Sequence, residues 1–429
     1  VKPLFYTKRG DTLIFASEIK GLFAYPGVKP VINREGLCEI FGLGPAKSYG
    51  KGVFKDIYEV LPGHFLEYDR EGLKDRAYWE LKAKEHTDSE KDTIEHTRWL
   101  VKDAVEMQML SDIPISTFLS GGVDSSLVTA ICAKKLQKEG KNLNTFSFDF
   151  VNNHKYFKSN AFQPSEDRPW VDKMVDHAKT DHRYLECDNE NMIENLYKAV
   201  DARDLPCMAD VESSMLYFCS KVVKYNKVTL TGECADEIFG GYPWFFREDA
   251  LNSGTFPWSI AIDERQRLLT PTIGQKVNLK SYIDYRYNES LSEVEILDSD
   301  SPETAEKRKI SHLTLNWFMQ TLLDRSDRMA MYNGFELRVP FCDYRLAEYV
   351  WNIPWEMKAL HGREKGLLRY IMKDLLPEEI VDRKKSPYPK TWNPTYLATV
   401  KDMLTKIMND SNAPINNLLN RNYILEILE

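Results

Sequence analysis

Two short stretches hold residues whose types and spacing suit chemistry. The first is Ser120-Gly121-Gly122-Val123-Asp124-Ser125-Ser126. Two adjacent glycines permit positive φ and let an anion approach the backbone closely. A helix starting there would aim its first N–H groups and its positive end at the same point. Ser120, Ser125 and Ser126 add hydroxyl donors. The loop has no lysine, and the pattern G-x-x-x-x-G-K-[ST] is absent from the chain. Gly42-Leu43-Gly44 lacks the third glycine of a dinucleotide turn. Asp124 would repel a phosphate unless it served a cation, so Mg²⁺ carried by the phosphates is its expected partner. The plain alternative is a glycine turn with a helix cap, and the strand before and helix after favour phosphate binding over it.

The second stretch is Thr231-Gly232-Glu233-Cys234-Ala235-Asp236-Glu237-Ile238-Phe239-Gly240-Gly241-Tyr242. Its three carboxylates, Glu233, Asp236 and Glu237, fall within five residues. A solvated acidic turn is the ordinary reading of such a cluster. The apolar run that follows, to Trp244, argues instead that the carboxylates sit against a packed interior. Proton affinities are tuned and metals bound in such a setting.

Strands and helices must bring these loops together. A short apolar strand is expected over Ile113 to Leu119, a helix over Ser125 to Leu136, and strands over Leu143 to Phe150 and Lys227 to Thr231. An amphipathic helix from about Asp92 to Met109 precedes them, with Ile94, Trp99, Leu100, Val101, Ala104, Val105 and Met109 on its apolar side. Strands alternating with helices predict a parallel α/β sheet. From about residue 303 the pattern reads as almost wholly helical. Residues 1–80 are β-rich, with a hairpin of Leu4–Tyr6 and Leu13–Phe15 around Lys8–Asp11 and a turn and strand over Pro62–Asp69. Lys82 to Lys91 reads as a linker, and the polar segment Val151–Asp167 as a surface insertion just after the Leu143–Phe150 strand. The organisation expected is therefore 1–80 and 81–429.

A chain of 429 residues is too long for one ordinary core. A net charge of -8 argues against a nucleic-acid partner, which asks for a basic face. The seven cysteines are scattered and never spaced C-x-x-C, so neither a zinc site nor a disulfide framework is expected and the cytoplasm fits best. No apolar run approaches membrane-spanning length and no signal peptide is legible. The chain opens at Val1 directly in strand-like sequence, which reads as a piece of something longer.

The two loops, taken with Gly334-Phe335-Glu336-Leu337-Arg338-Val339-Pro340-Phe341-Cys342-Asp343 and Glu364-Lys365-Gly366-Leu367-Leu368-Arg369, resemble the glutamine-hydrolysing asparagine synthetases. The first loop is similar to the pyrophosphate-binding motif of the ATP pyrophosphatases. Val1-Lys2-Pro3-Leu4 and Ala16-Ser17-Glu18-Ile19-Lys20 resemble the end of the family's glutaminase domain. The fold implied is an α/β, parallel-sheet ATP-pyrophosphatase domain of the adenine nucleotide alpha hydrolase type with a helical C-terminal part. A partial, β-rich N-terminal-nucleophile glutaminase domain would precede it.

The resemblance implies that aspartate is adenylated to β-aspartyl-AMP with release of pyrophosphate, then amidated by ammonia. Leu119, Phe148 and Gly232 would contact the nucleotide, with Ser120, Gly121, Gly122, Ser125 and Ser126 on its phosphates. Asp124 and Asp236 would share Mg²⁺, and Glu233 would take a proton from the attacking ammonia. Lys365 and Arg325 would neutralise the departing pyrophosphate. By pattern alone both would pass as surface charges in helices. Glu237 would help position substrate. Ammonia would come from glutamine through a cysteine upstream of Val1. A homodimer is the expected assembly, without nucleic acid or membrane. The nearest rival is the β-lactam-forming synthetases, which resemble this chain but have a tyrosine where Glu233 stands. RNA-modifying thiolases share the phosphate loop but favour a basic surface and paired cysteines.

Overall fold

The computed structural model describes residues 2–160, 163–251 and 253–429. Val1 of the Val1-Lys2-Pro3-Leu4 stretch, Ala161 and Phe162 of the insertion, and Asn252 therefore lie outside the described residues.

The fold is organised by strand β6, Ile115–Phe118. Its alternation sends Ile115 and Thr117 to one face of a sheet and Ser116 and Phe118 to the other. On the first face Thr117 Oγ1 lies 2.8 Å from Thr129 Oγ1, in the helix Val123–Lys138. That helix buries Leu127, Val128 and Ile131 against Leu100, Val101 and Val105 of the helix Glu90–Gln108. On the second face Phe118 packs on Phe218 of the helix Ala209–Val222, with ring centroids 4.6 Å apart. Strand β7, Asn144–Phe150, repeats the pattern and adds Phe146 and Phe148 to the second face. Burying both faces is what a parallel sheet requires.

Five parallel strands make this sheet, in the order β10-β9-β6-β7-β8. Strand β8 is Asp181–Cys187, β9 is Val228–Leu230 and β10 is Glu336–Arg338. The first strand in sequence is thus central. The chain moves outward on one side through β7 and β8, then returns to lay β9 and β10 on the other. Loops leaving the C-terminal ends of β6 and β9 diverge around a crevice, the usual ligand position in an open α/β sheet. The Ser120–Ser126 and Thr231–Tyr242 loops leave those two ends.

Ahead of this sheet, β1 (Phe5–Arg9), β2 (Thr12–Ala16) and β3 (Tyr58–Glu59) form an antiparallel sheet ordered β2-β1-β3, and β4 (His64–Asp69) pairs with β5 (Gly72–Ala77). The expected hairpin is present, with Arg9 paired to Thr12 across a Gly10-Asp11 turn. Phe5, Ile19, Leu22, Val28, Val53 and Ile57 form a separate small core there.

One expectation needs correction and two others gain detail. The region beyond residue 303 is almost wholly helical as expected, the exception being Glu336–Arg338, which completes the sheet as an edge strand. Its three residues are too few to show a period. The Val151–Asp167 segment is not simply surface: Asn153 and Gln163 are buried in it, and it lines the crevice. Lys365 and Arg325, which pattern alone would pass as surface charges, are buried, at 3% and 6% exposure. Among the described residues no helix is long and apolar enough to cross a membrane.

Candidate active site

The crevice is a cavity of about 850 Å³ at the C-terminal ends of β6, β7 and β9. That is within the usual range for a small-molecule site, roughly 300–1,000 Å³. Its wall includes Leu119, Ser120, Gly122, Asp124, Ser125, Phe148, Gly232, Glu233, Asp236, Arg325 and Lys365. Gly121 and Ser126, also named from the sequence, do not line it.

The first loop is held by its own serines. Ser120 N–H donates to Ser125 Oγ at 3.1 Å, and the two hydroxyl oxygens are 3.0 Å apart. Ser147 Oγ donates to the Leu119 carbonyl, tying the loop to β7. Gly122 begins the helix Val123–Lys138 with no side chain capping it. Gly121 has φ +69° and sits against Trp170, whose Cβ a substituent at Gly121 would meet at 2.5 Å. The two loops also touch each other. A Cβ on Gly232 would lie 2.5 Å from Ser125 N and 2.6 Å from Asp124 C, so only glycine allows the approach.

In the second loop Cys234 takes the left-handed conformation at φ +70° and starts the short helix Ala235–Phe239. The turn after that helix explains its two glycines. Gly240 has φ +70°, and a Cβ on Gly241 would fall 1.9 Å from Asp236 Oδ1. The loop thereby aims Asp236 at Asp124 across the crevice. Between them stands Lys365, whose Nζ is 2.7 and 2.9 Å from the Asp124 oxygens and 2.8 Å from Asp236 Oδ1. Lys365 itself is left-handed, φ +52°, at the start of the helix Gly366–Ile371. Backbone strain of this kind in a non-glycine residue is characteristic of functional sites.

Burial would push the Asp236 carboxyl up, but Lys365 and Lys385 outweigh it and hold the group well below the usual carboxylate range. Asp124 is pushed the other way, by burial against the pull of Lys365 and with the Asp236 charge adding to the rise. Two carboxylates gripping one ammonium mark a position for a cation. Among the described residues no group of three or more His, Cys, Asp or Glu stands ready to hold a metal on its own. The donor set nonetheless fits Mg²⁺ that arrives on phosphates, because that ion commonly takes one or two protein carboxylates and completes its shell with phosphate oxygens and water.

Glu233 lies at the other end of the loop. Arg325 Nη2 donates to its Oε1 at 2.6 Å, and Ser326 Oγ donates to Oε2. Both partners come from the helix Gln320–Met331. Arg325 therefore meets Glu233 rather than the Asp124–Asp236 pair. Glu237 is fully buried and accepts from Tyr242 Oη at 2.5 Å. Burial first, and the neighbouring Asp236 charge second, push its carboxyl up to about 7.

Sequence reasoning missed the segment that closes the cavity. Lys385 Nζ pairs with Asp236 Oδ2, making a second cation at the same carboxylate. Arg383 donates to the Ser120 carbonyl at 2.9 Å and pairs with Asp167 of the insertion. Tyr388 stacks on Phe148 at 6.3 Å and 21°, and the Arg325 guanidinium lies 5.5 Å from its ring centroid. The run Arg383-Lys384-Lys385-Ser386-Pro387-Tyr388-Pro389 did carry a signal, three adjacent cations ahead of two prolines.

Residues 96–429 match the Asparagine synthase family, and residues 1–79 match the family described as Glutamine amidotransferase domain. Asparagine synthetase [glutamine-hydrolyzing] 3 of Bacillus subtilis (strain 168) is 47% identical over 430 residues, which take in 100% of this chain and 70% of that protein. Asparagine synthetase [glutamine-hydrolyzing] 1 of the same organism is 27% identical over 471 residues with the same coverage. The Homo sapiens asparagine synthetase [glutamine-hydrolyzing] is 26% identical over 404 residues, 90% of this chain and 59% of the human protein.

Proposed function

Because the chain belongs to the asparagine synthase family, we propose that the crevice adenylates aspartate with ATP and passes the acyl-adenylate to ammonia, giving asparagine, AMP and pyrophosphate. The observation that carries this reading is the arrangement of Lys365 between Asp124 and Asp236, with Glu233 on the same loop as Asp236.

The β-carboxylate of aspartate attacks the α-phosphorus, and the bond to the bridging oxygen breaks as pyrophosphate leaves. The Ser120–Ser126 loop binds the departing phosphates through backbone N–H groups and hydroxyls. Lys365 and Lys385 offset the charge that accumulates on them, the kind of stabilisation that is usually the largest catalytic contribution. Asp124 and Asp236 would hold Mg²⁺, which would supply further charge neutralisation on the phosphates. Leu119, Phe148 and Gly232 would flank the nucleoside. Ammonia then attacks the acyl carbon, Glu233 accepts a proton from the new ammonium, and AMP departs with the carbon–oxygen electron pair. Arg325 and Ser326 orient Glu233 for that transfer.

Glu233 also weighs against the β-lactam-forming reading, in which a tyrosine stands at this position. Residues 1–80 are proposed as part of a glutamine-hydrolysing unit and 81–429 as the synthetase, with glutamine as the source of ammonia. All seven cysteines are free, which fits a reducing compartment and supports the cytoplasm. A homodimer is proposed from the family resemblance alone.

The test is pyrophosphate release from MgATP with aspartate compared against a panel of other carboxylates, ammonium being supplied. Aspartate-dependent release with asparagine as product is expected. Release driven by a different acid while aspartate stays inert refutes the assignment.

A further inference from the structure

The helix Gln320–Met331 carries an unusual run, Asp324-Arg325-Ser326-Asp327-Arg328, in which all five residues are buried. Buried charges persist only where they are paired, and here the partners divide by direction. Arg325 and Ser326 grip the two oxygens of Glu233. The other three turn to the N-terminal part of the chain. Lys47 Nζ lies 3.9 Å from Asp324 and also pairs with Glu59. Lys2 pairs with Asp327, and Arg328 Nη2 is 2.5 Å from Glu18. One turn earlier, Gln320 Nε2 donates to Glu59 Oε2 at 3.3 Å. The segment immediately ahead, Thr314–Met319, is π-helical, a wider turn that resets side-chain register and recurs at functional sites.

We propose that these ion pairs fix the rotation and height of the helix, so that Lys2, Glu18 and Lys47 are positioning residues for Glu233. This rests on Glu233 being the base in the ammonia step. The N-terminal residues then do more than supply ammonia. They hold the base in register for the reaction that consumes it. The cations at the phosphate end, Lys365 and Lys385, come from a different segment, so adenylation is separable from this effect. A base displaced by about 1 Å can lose roughly a hundredfold in rate, so a modest shift of the helix is enough to be measured.

The experiment uses the chain with Lys2→Met/Glu18→Gln together, with Lys47→Met, with Lys47→Arg, and with Asp204→Asn as a control. Asp204 accepts from Lys20 at 3.0 Å and joins the same N-terminal residues to the helix Asn189–Arg203 instead. Two quantities are measured: the aspartate-driven pyrophosphate burst without ammonium, and kcat/KM for ammonium in asparagine formation. The double variant and Lys47→Met are expected to lose about tenfold or more in kcat/KM for ammonium while the burst stays within roughly twofold. Lys47→Arg recovers most of the loss, and Asp204→Asn behaves as wild type. If burst and ammonium step fall together, if Asp204→Asn does the same, or if no variant changes the ammonium step, the proposal is overturned. Should Lys47→Met not fold, the more exposed Lys2/Glu18 pair decides. A wild-type chain with no aspartate-driven burst refutes the adenylation reading itself, a separate outcome.

Discussion

Replacing Glu237 by glutamine should change the pH dependence of stability in a calculable way. The carboxyl is fully buried and its proton affinity is raised from the usual 4.5 to about 7, by burial first and then by Asp236, with the Tyr242 hydrogen bond pulling it partly back. A carboxyl raised in the folded state binds its proton more tightly there than in the unfolded chain. Its contribution is therefore complete below about pH 4.5 and drains away as pH rises through about 7. With each tenfold change in proton affinity amounting to about 1.4 kcal/mol, the loss is on the order of 3 kcal/mol. Glu237→Gln removes the ionisation while leaving a carbonyl oxygen to accept from Tyr242. The variant should gain on wild type by that amount between those pH values and hold a constant lead above them. Urea unfolding of both proteins from pH 5 to 8, followed by tryptophan fluorescence, reads the difference directly. A difference that does not vary with pH, or wild type gaining on the variant as pH rises, refutes the account, because it means that a cation balances the ionised carboxylate.

Glu233→Gln should lower kcat/KM for ammonium by about 10²–10⁴ and leave the aspartate-driven pyrophosphate burst nearly intact, since a positioned base is lost and the phosphate end is untouched. Lys365→Met should slow the burst itself by roughly 10²–10³, the scale for one lost charge-stabilising donor, as read by rapid-quench kinetics. Gly232→Ala would put its methyl carbon 2.5 Å from Ser125 N, so the two loops must part. A loss of ATP affinity of tenfold or more is expected by calorimetry, about 1.4 kcal/mol or above.

The parts of the site legible in the sequence were those encoded locally. Ser120–Ser126 announced itself because a strand, two glycines and a helix follow one another without interruption, and the apolar run Ile113 to Leu119 reads as a short strand, observed as Ile115–Phe118. Observed boundaries differ from the expected ones by a residue or two: the first long helix runs Glu90–Gln108 and the phosphate-loop helix starts at Val123. The family resemblance brought in Lys365 and Arg325, and neither has a local signal. Lys365 is fixed by its own left-handed backbone ahead of Gly366, which has no room for a side chain against Leu360, and Arg325 by a helix whose burial comes from distant partners. Lys385, Arg383 and Tyr388 showed only a run of cations ahead of two prolines, and nothing local said what they meet. Their partners Asp236, Ser120 and Phe148 lie at least 149 residues away, and no window of sequence contains both ends of such a contact.

The order β10-β9-β6-β7-β8 also sets a timetable. Strand β9 ends at Leu230, yet its outer neighbour begins only at Glu336 and the segment bearing Lys385 follows later still. At translation rates of about 5–20 residues per second, a growing chain would wait roughly 5–30 seconds between finishing the central strands and receiving the pieces that seal them. For that interval the edge of β9 is bare and the crevice lacks a wall, which is when a nascent chain most needs a chaperone to cover it.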